Sequence, residues 1–298
     1  MGIDRRRSWL LLLLVFGLSA GCARLSANPE PDGRLGSGPI DHPAGPTDLV
    51  LRLEECCGFL PVPAALKQVP SFSLYGDGRL VTQGPQIEIY PSPALSSLQV
   101  TQLDEAGTQA ILRAARAAGL FGPDRHYEIP TILDAPTSTF TLVSAGARHV
   151  VSAYALGMEG GSDLPAEELE ARRALTEFRG QLFDLRRWLP DGSVGQETQL
   201  LFEEIRVFVT AGAPPEEPEL KQPAIEWPLS SSLAGFGEPL ASRSSMRCGS
   251  VEGAELDALL PRALEANDLT PWRSEGLLYS LVFRPLLPDE SGCDGAAG

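Results

Sequence analysis

Ser71-Phe72-Ser73-Leu74-Tyr75-Gly76-Asp77-Gly78-Arg79-Leu80-Val81-Thr82 reads as two short strands folded back on each other. Aromatic and aliphatic side chains dominate both arms, as strands favour. The glycines at 76 and 78 take positive φ at little cost, and Asp77 between them accepts turn hydrogen bonds, so the spacing predicts a tight hairpin. An antiparallel sheet is therefore expected at the heart of the chain.

Upstream, Leu49, Leu51 and Leu53 alternate with Val50, Arg52 and Glu54, the period of a strand with one covered face. Downstream, residues 86–90 and 97–101 read as short strands. Asp104 is placed to cap a helix, and Glu105 suits its first turn. Ile111, Leu112, Ala115 and Ala118 form the apolar face of that helix, and Gly119 followed by Leu120 ends it. Two strands, 139–143 and 149–154, follow around a turn at 144–147. Ser162 or Asp163 then opens a longer helix with Pro165 in its first turn. Its stripe, Leu175, Phe178, Leu182, Leu185 and Trp188, has the clearest helical period in the chain.

Ile205, Val207 and Val209 alternate in one more strand before Ala213-Pro214-Pro215-Glu216-Glu217-Pro218, which reads as a boundary. Beyond it, 252–266 is a helix that Pro261 is expected to kink, and 277–284 is a strand. Residues 286–293 are expected to run out over the surface, with Asp289-Glu290 as solvated charge. The fold class predicted is α+β: an antiparallel sheet packed against two helices, with a smaller α+β C-terminal unit. The division is 1–21 signal peptide, 22–47 flexible tether, 48–211 N-terminal domain, 212–228 Pro/Glu-rich linker and 229–298 C-terminal unit.

Tyr75-Gly76-Asp77-Gly78, the helix ending Ala118-Gly119-Leu120-Phe121, and Asp134-Ala135-Pro136-Thr137 before a strand occur in an order that resembles an uncharacterised domain family of exported bacterial proteins. The resemblance spans residues 71–189. It implies a fold and no activity.

At the start of the chain, Arg5, Arg6 and Arg7 precede the apolar run 9–18, which is too short to span a bilayer and has the length of a signal-peptide core. Leu18-Ser19-Ala20-Gly21-Cys22 resembles the lipobox of bacterial lipoproteins, in which the cysteine is lipidated and becomes the mature N-terminus. The resemblance implies a chain held to the lipid bilayer through an acylated Cys22, on the extracytoplasmic side of the cell membrane. Residues 23–47, rich in Pro, Gly and Ser, read as a tether.

The formal charge is −15, and removal of residues 1–21, with three arginines and one aspartate, takes it to −17. Such a chain repels nucleic acid, so none is expected as a partner, while an envelope protein is a candidate. Cys56, Cys57, Cys248 and Cys293 remain after Cys22, an even number that suits disulfides in an exported protein. Cys248 with Cys293 is the expected bridge; the pairings that tie Cys56 and Cys57 to the C-terminal cysteines stay open.

Catalytic patterns are sparse. There is no G-x-S-x-G, and no lysine of a phosphate-binding loop follows Gly157-Met158-Glu159-Gly160-Gly161. No cofactor or metal is expected, because adjacent cysteines lack ligand spacing. His42 falls in the tether and His149 within a strand. His126 and Asp134, close in sequence on one loop, are the residues expected to form a polar site if the protein is an extracytoplasmic hydrolase. A redox-responsive module using Cys56 and Cys57 is a second alternative. The leading expectation is a cell-envelope lipoprotein with a non-catalytic binding or scaffolding role.

Overall fold

The computed structural model describes residues 38–86, 89–160, 163–215 and 217–293, without the side chain of Cys57. The hairpin forms as its sequence predicts, from β2 (Phe72–Tyr75) and β3 (Arg79–Gln83). Gly78 has φ 83°, and a Cβ there would stand 2.3 Å from the Leu103 carbonyl oxygen, so glycine alone fits. Asp77 accepts from the Arg79 N–H at 3.0 Å.

β1 (Leu49–Cys57) lies beside β2, and β4 (Leu98–Leu103) beside β3. β5 (Arg125–Tyr127), β6 (Pro136–Ser144), β7 (Ala147–Tyr154) and β8 (Val194–Gln199) complete an eight-stranded sheet ordered β5-β7-β6-β1-β2-β3-β4-β8. Its pairs are antiparallel except β5 with β7. One face is covered by α2 (Glu105–Ala117), α3 (Ala166–Leu182) and α4 (Leu185–Trp188). Asp104 caps α2 by accepting from the Gly107 N–H at 2.8 Å, a bond that, with Ser193, holds its carboxyl below the usual range. At the other end Leu120 N–H donates to Ala115 and its side chain is buried. Leu175, Phe178, Leu182 and Leu185 are buried as their period predicts, although the helix starts only at Ala166, after an extended Pro165, and breaks at Phe183 before α4.

A second, six-stranded sheet holds β9 (Glu204–Ala211), β10 (Ile225–Glu226), β11 (Glu238–Leu240), β12 (Arg243–Glu252), β13 (Trp272–Ser274) and β14 (Leu277–Pro285), ordered β10-β13-β14-β9-β12-β11. β10 and β13 are its parallel pair. Helix α5 (Gly253–Glu265) continues through Pro261 and buries Leu256, Leu259 and Ala263 against one face, beside Trp227, Trp272 and Phe283. On the other face Phe208 and Cys248 pack with Leu66 of α1 (Val62–Lys67) and with Cys293, which is disulfide-bonded to Cys248. Cys56 is also disulfide-bonded. Among the described residues no helix is long and apolar enough to cross a membrane.

Several sequence expectations are corrected. The folded part is mixed α+β, but Pro39–Gly298 is one compact unit and the boundary at 211/212 cuts through its second sheet. β9 is an interior strand of that sheet, with Ile205 to Val209 all buried; local alternation cannot say which sheet a strand joins. The supposed linker supplies β10 and buried Trp227. Packing begins before residue 48: Ile40 is buried and exchanges two hydrogen bonds with the Gln109 side chain, and His42 contacts Glu105.

The largest correction concerns the arm after β14, expected on the surface. Asp289 accepts from Arg52 Nη2 at 2.6 Å and from the Tyr75 hydroxyl at 2.8 Å, and Arg52 also donates to Ser73. One residue on, Glu290 takes both Arg284 terminal nitrogens, at 2.7 and 2.8 Å, and the Leu287 N–H. Arg206 donates to the Gly292 carbonyl, and Gly292 N–H to Glu204. Leu287 is inserted against Tyr75, Val81 and Leu98 on the second face of the first sheet. The arm is thus a charged clasp between the two sheets, which is why Arg52 is buried within an apolar strand.

Burial disfavours the Arg52 charge, but the Asp289 hydrogen bond and charge hold its pKa above the ordinary value. Burial also raises the Tyr75 phenol, keeping it a donor. For Glu290, burial pushes the carboxyl up, yet Arg284 and the Leu287 N–H outweigh it and the pKa is lowered.

Asp289→Ala leaves a buried guanidinium unpaired and is expected to cost about 3–5 kcal/mol in urea unfolding, with much of it recovered in the double variant Arg52→Met/Asp289→Leu. The depressed Glu290 pKa contributes stability above the unfolded value of 4.5 that is lost as pH falls through the folded value. Glu290→Gln should therefore flatten the fall of the urea midpoint between about pH 5 and pH 3; an unchanged slope would place the acid sensitivity elsewhere.

Candidate functional site

The start of β6 gathers three loops at one end of the first sheet. Cys57 is the register partner of Pro136, and Thr137 pairs with both Cys56 and Tyr154. The segments after β1, before β6 and after β7 therefore emerge side by side. Gly58, with φ 55°, lies so close to the β6 approach that a Cβ would stand 2.9 Å from the Asp134 carbonyl oxygen. Ala155 N–H donates to the Pro136 carbonyl at 2.9 Å. Asp134 and Ala155 both adopt left-handed φ, 57° and 53°, which turns the chain sharply at each site. The Tyr154 hydroxyl accepts from Ala135 N–H at 3.0 Å and donates to the Ile132 carbonyl at 3.2 Å, tying the loop to β7.

Two arginines of α3 brace this end from below. Arg172 is fully buried; it donates to Glu168 at 3.0 Å and to the Tyr154 carbonyl at 2.9 Å, meets Glu159 at 3.5 Å and lies over the Tyr127 ring. Arg179 pairs with Glu55 at 3.2 Å and reaches the Leu156 carbonyl, while Ser71 and Ser138 also donate to Glu55. Sequence reading missed both arginines, because an apolar stripe draws attention from charged residues one turn away. Their i, i+7 spacing was the available signal.

The structure does not bring His126 and Asp134 together. His126 stands on β5, where its Nδ1 shares a 2.5 Å hydrogen bond with the Ser152 hydroxyl and its Nε2 pairs with Glu128. Both ring and carboxylate are more than half exposed. The Ser–His–Glu order has the outline of a nucleophile relay, but the geometry is that of a cross-strand row: His126 is the register partner of Ser152, and Ser152 of Thr139. β7 is an interior strand whose ladders engage its N–H groups, so none beside Ser152 is free to stabilise an oxyanion. Asp134 is exposed at its turn. Among the described residues no group of three or more His, Cys, Asp or Glu side chains is placed to hold a metal ion.

What the loops do present is apolar. Phe59 is 87% exposed, Leu133 81%, Met158 50% and Leu60 41%. A separate open groove of about 330 Å³ between β3, β4, β8 and the turn from α3 to α4 is lined by Leu80, Thr101, Phe183, Arg186 and Glu197. Arg186 there donates to the Val194 and Gly195 carbonyls, covering the start of the β8 edge. Comparison with known proteins finds no family model, curated protein or solved structure that matches the chain.

Tyr154→Phe removes both hydrogen bonds that hold the loop. It is expected to cost about 1–2 kcal/mol and to speed amide exchange at residues 132–135, with the interior of β6 and β7 still protected. Hydrogen exchange read by mass spectrometry checks this; uniform loss of protection would mean that Tyr154 supports the whole sheet.

Proposed function

We propose that this chain is a cell-envelope lipoprotein, held to the extracytoplasmic side of the membrane through an acylated Cys22, whose folded part is a non-catalytic binding module. The observation that carries the binding role is the cluster of exposed apolar side chains on the loops around Pro136. Phe59 and Leu133 are almost wholly in water and Leu60 and Met158 about half so, and apolar surface exposed on neighbouring loops supports an interaction site. The anchor rests on Leu18 to Cys22 and the apolar run before them. The Cys248–Cys293 disulfide suits an oxidising compartment. The organisation is a tether joined to a folded head, with the recognition surface on the loops of the head.

Intact-mass spectrometry of the membrane-extracted protein tests the anchor. The expected species lacks residues 1–21 and carries a diacylglyceryl group on Cys22, and Cys22→Ala abolishes that modification and membrane retention. An unprocessed Met1 with reduced thiols, from a cytosolic fraction, would overturn the reading.

A further inference from the structure

We infer that the apolar loops around Pro136 dock a cationic amphipathic segment of a partner protein, one that carries aliphatic side chains flanked by lysine or arginine. This rests on the binding-module reading and adds the chemistry of the partner. Three observations lead to it.

The apolar side chains stand on a fixed base. Cys57 is in register with Pro136, Ala155 is bonded to Pro136, Gly58 abuts the Asp134 carbonyl, and Tyr154 and Arg179 tie the loops to the sheet and to α3. The backbone that carries them is therefore held in place before a partner covers them, which limits the ordering cost to the side chains.

The charged residues within these loops have one sign. The loops at 58–61, 128–135 and 155–165 carry Glu128, Asp134, Glu159 and Asp163, and contain no lysine or arginine. Asp134 and Asp163 are exposed, Glu128 is more than half so, and Glu159 is held by Arg172 beneath. An apolar centre with a carboxylate rim complements an apolar surface with a basic rim. The same carboxylates, on a chain of formal charge −15, repel anionic headgroups, which favours a protein over a lipid surface.

The loops also lie at the opposite end of β6 from Asp41. Asp41, three residues after the described chain begins, accepts from Ala145 N–H and the Ser144 hydroxyl, at the far end of β6 from Pro136. Eight residue steps of strand separate the two ends, about 26 Å at 3.3 Å per residue. The docking loops and Asp41 therefore stand at opposite ends of β6.

The test uses the full chain purified from the envelope in phosphatidylcholine nanodiscs, with its methionine methyls carbon-13 labelled. Met158 reports the loops, and Met246, packed near Phe208 and Cys248, serves as the internal control. A synthetic Leu/Lys amphipathic peptide is expected to shift the Met158 methyl resonance and leave Met246 in place. Phe59→Ser/Leu133→Ser should weaken that binding about tenfold or more, as should Glu128→Lys/Asp134→Lys, with Met246 unmoved as evidence of an intact fold. A Met158 resonance indifferent to the peptide overturns the proposal. So does broadening of Met158 by spin-labelled lipid in the disc, which would make the occupant a bilayer, or a concentration-dependent shift without peptide, which would make it a second copy. The mass of the same sample reports Cys22 separately: an unmodified Cys22 with a peptide-responsive Met158 fails the anchor and keeps the docking, and the reverse result fails the docking alone.

Discussion

The ion pair between Arg52 and Asp289 decides how the two sheets sit together. It joins residues 237 positions apart, one in the first strand and one in the last arm, at 2.6 Å, with the Arg52 side chain buried and the Asp289 carboxyl partly covered. Such a pair contributes modest net stability, because removing two charges from water costs nearly as much as their attraction returns. Its weight lies in selectivity. Any arrangement that misplaces the arm leaves Arg52 buried without a carboxylate, with only the Ser73 and Tyr75 hydroxyls to accept from it. Glu290, gripped by both terminal nitrogens of Arg284, and Gly292, held by Arg206 and Glu204, repeat the constraint at successive steps. The Cys248–Cys293 bond then closes the arm covalently.

This clasp explains the one-unit architecture. The first sheet buries one face under α2 and α3 and part of the other under Leu287 and the β8–β9 connection, where Leu200 and Phe202 are partly buried. The second sheet is likewise covered on both sides, by α5 and by α1 with the arm. Strands with two covered faces lose their alternation, which is why Leu51, Arg52 and Leu53 are all buried, and why β9 has five consecutive buried residues.

What the sequence disclosed follows the range of the forces involved. The β2–β3 hairpin, the Asp104 cap, the end of α2 at Gly119 and Leu120, and the apolar stripe of α3 are local, and each was readable from neighbours within a few positions. Sheet membership of β9, the embrace of Ile40 by Gln109 and the pairing of Asp289 with Arg52 depend on partners far along the chain. An acidic pair beside a proline near a chain end carries the same local signature whether solvated or clasped. The candidate site failed for a related reason: His126 and Asp134 are eight residues apart, but β5 runs parallel to β7 and fixes His126 over Ser152, while Asp134 belongs to the turn into β6. The exposed Phe59, Leu133 and Met158 come from three loops whose adjacency only the sheet order creates.

The two ends of the molecule use the same residue types to opposite effect, and the supply of arginine separates them. At the clasp, Asp289 meets Arg52 and Glu290 meets Arg284, so carboxylates there are paired with guanidinium groups, and the apolar Leu287 is inserted. At the loop end, Arg172 and Arg179 are already engaged by Glu168, Glu159 and Glu55 beneath the surface. Above them Glu128, Asp134 and Asp163 have no arginine or lysine in their own loops, and the neighbouring apolar side chains remain in water. A chain able to bury Arg52 inside a strand has the means to neutralise a few loop carboxylates. Asp134 and Asp163 are left exposed, as are Phe59 and Leu133, so on the proposed reading the cations and the apolar cover arrive together, on another molecule.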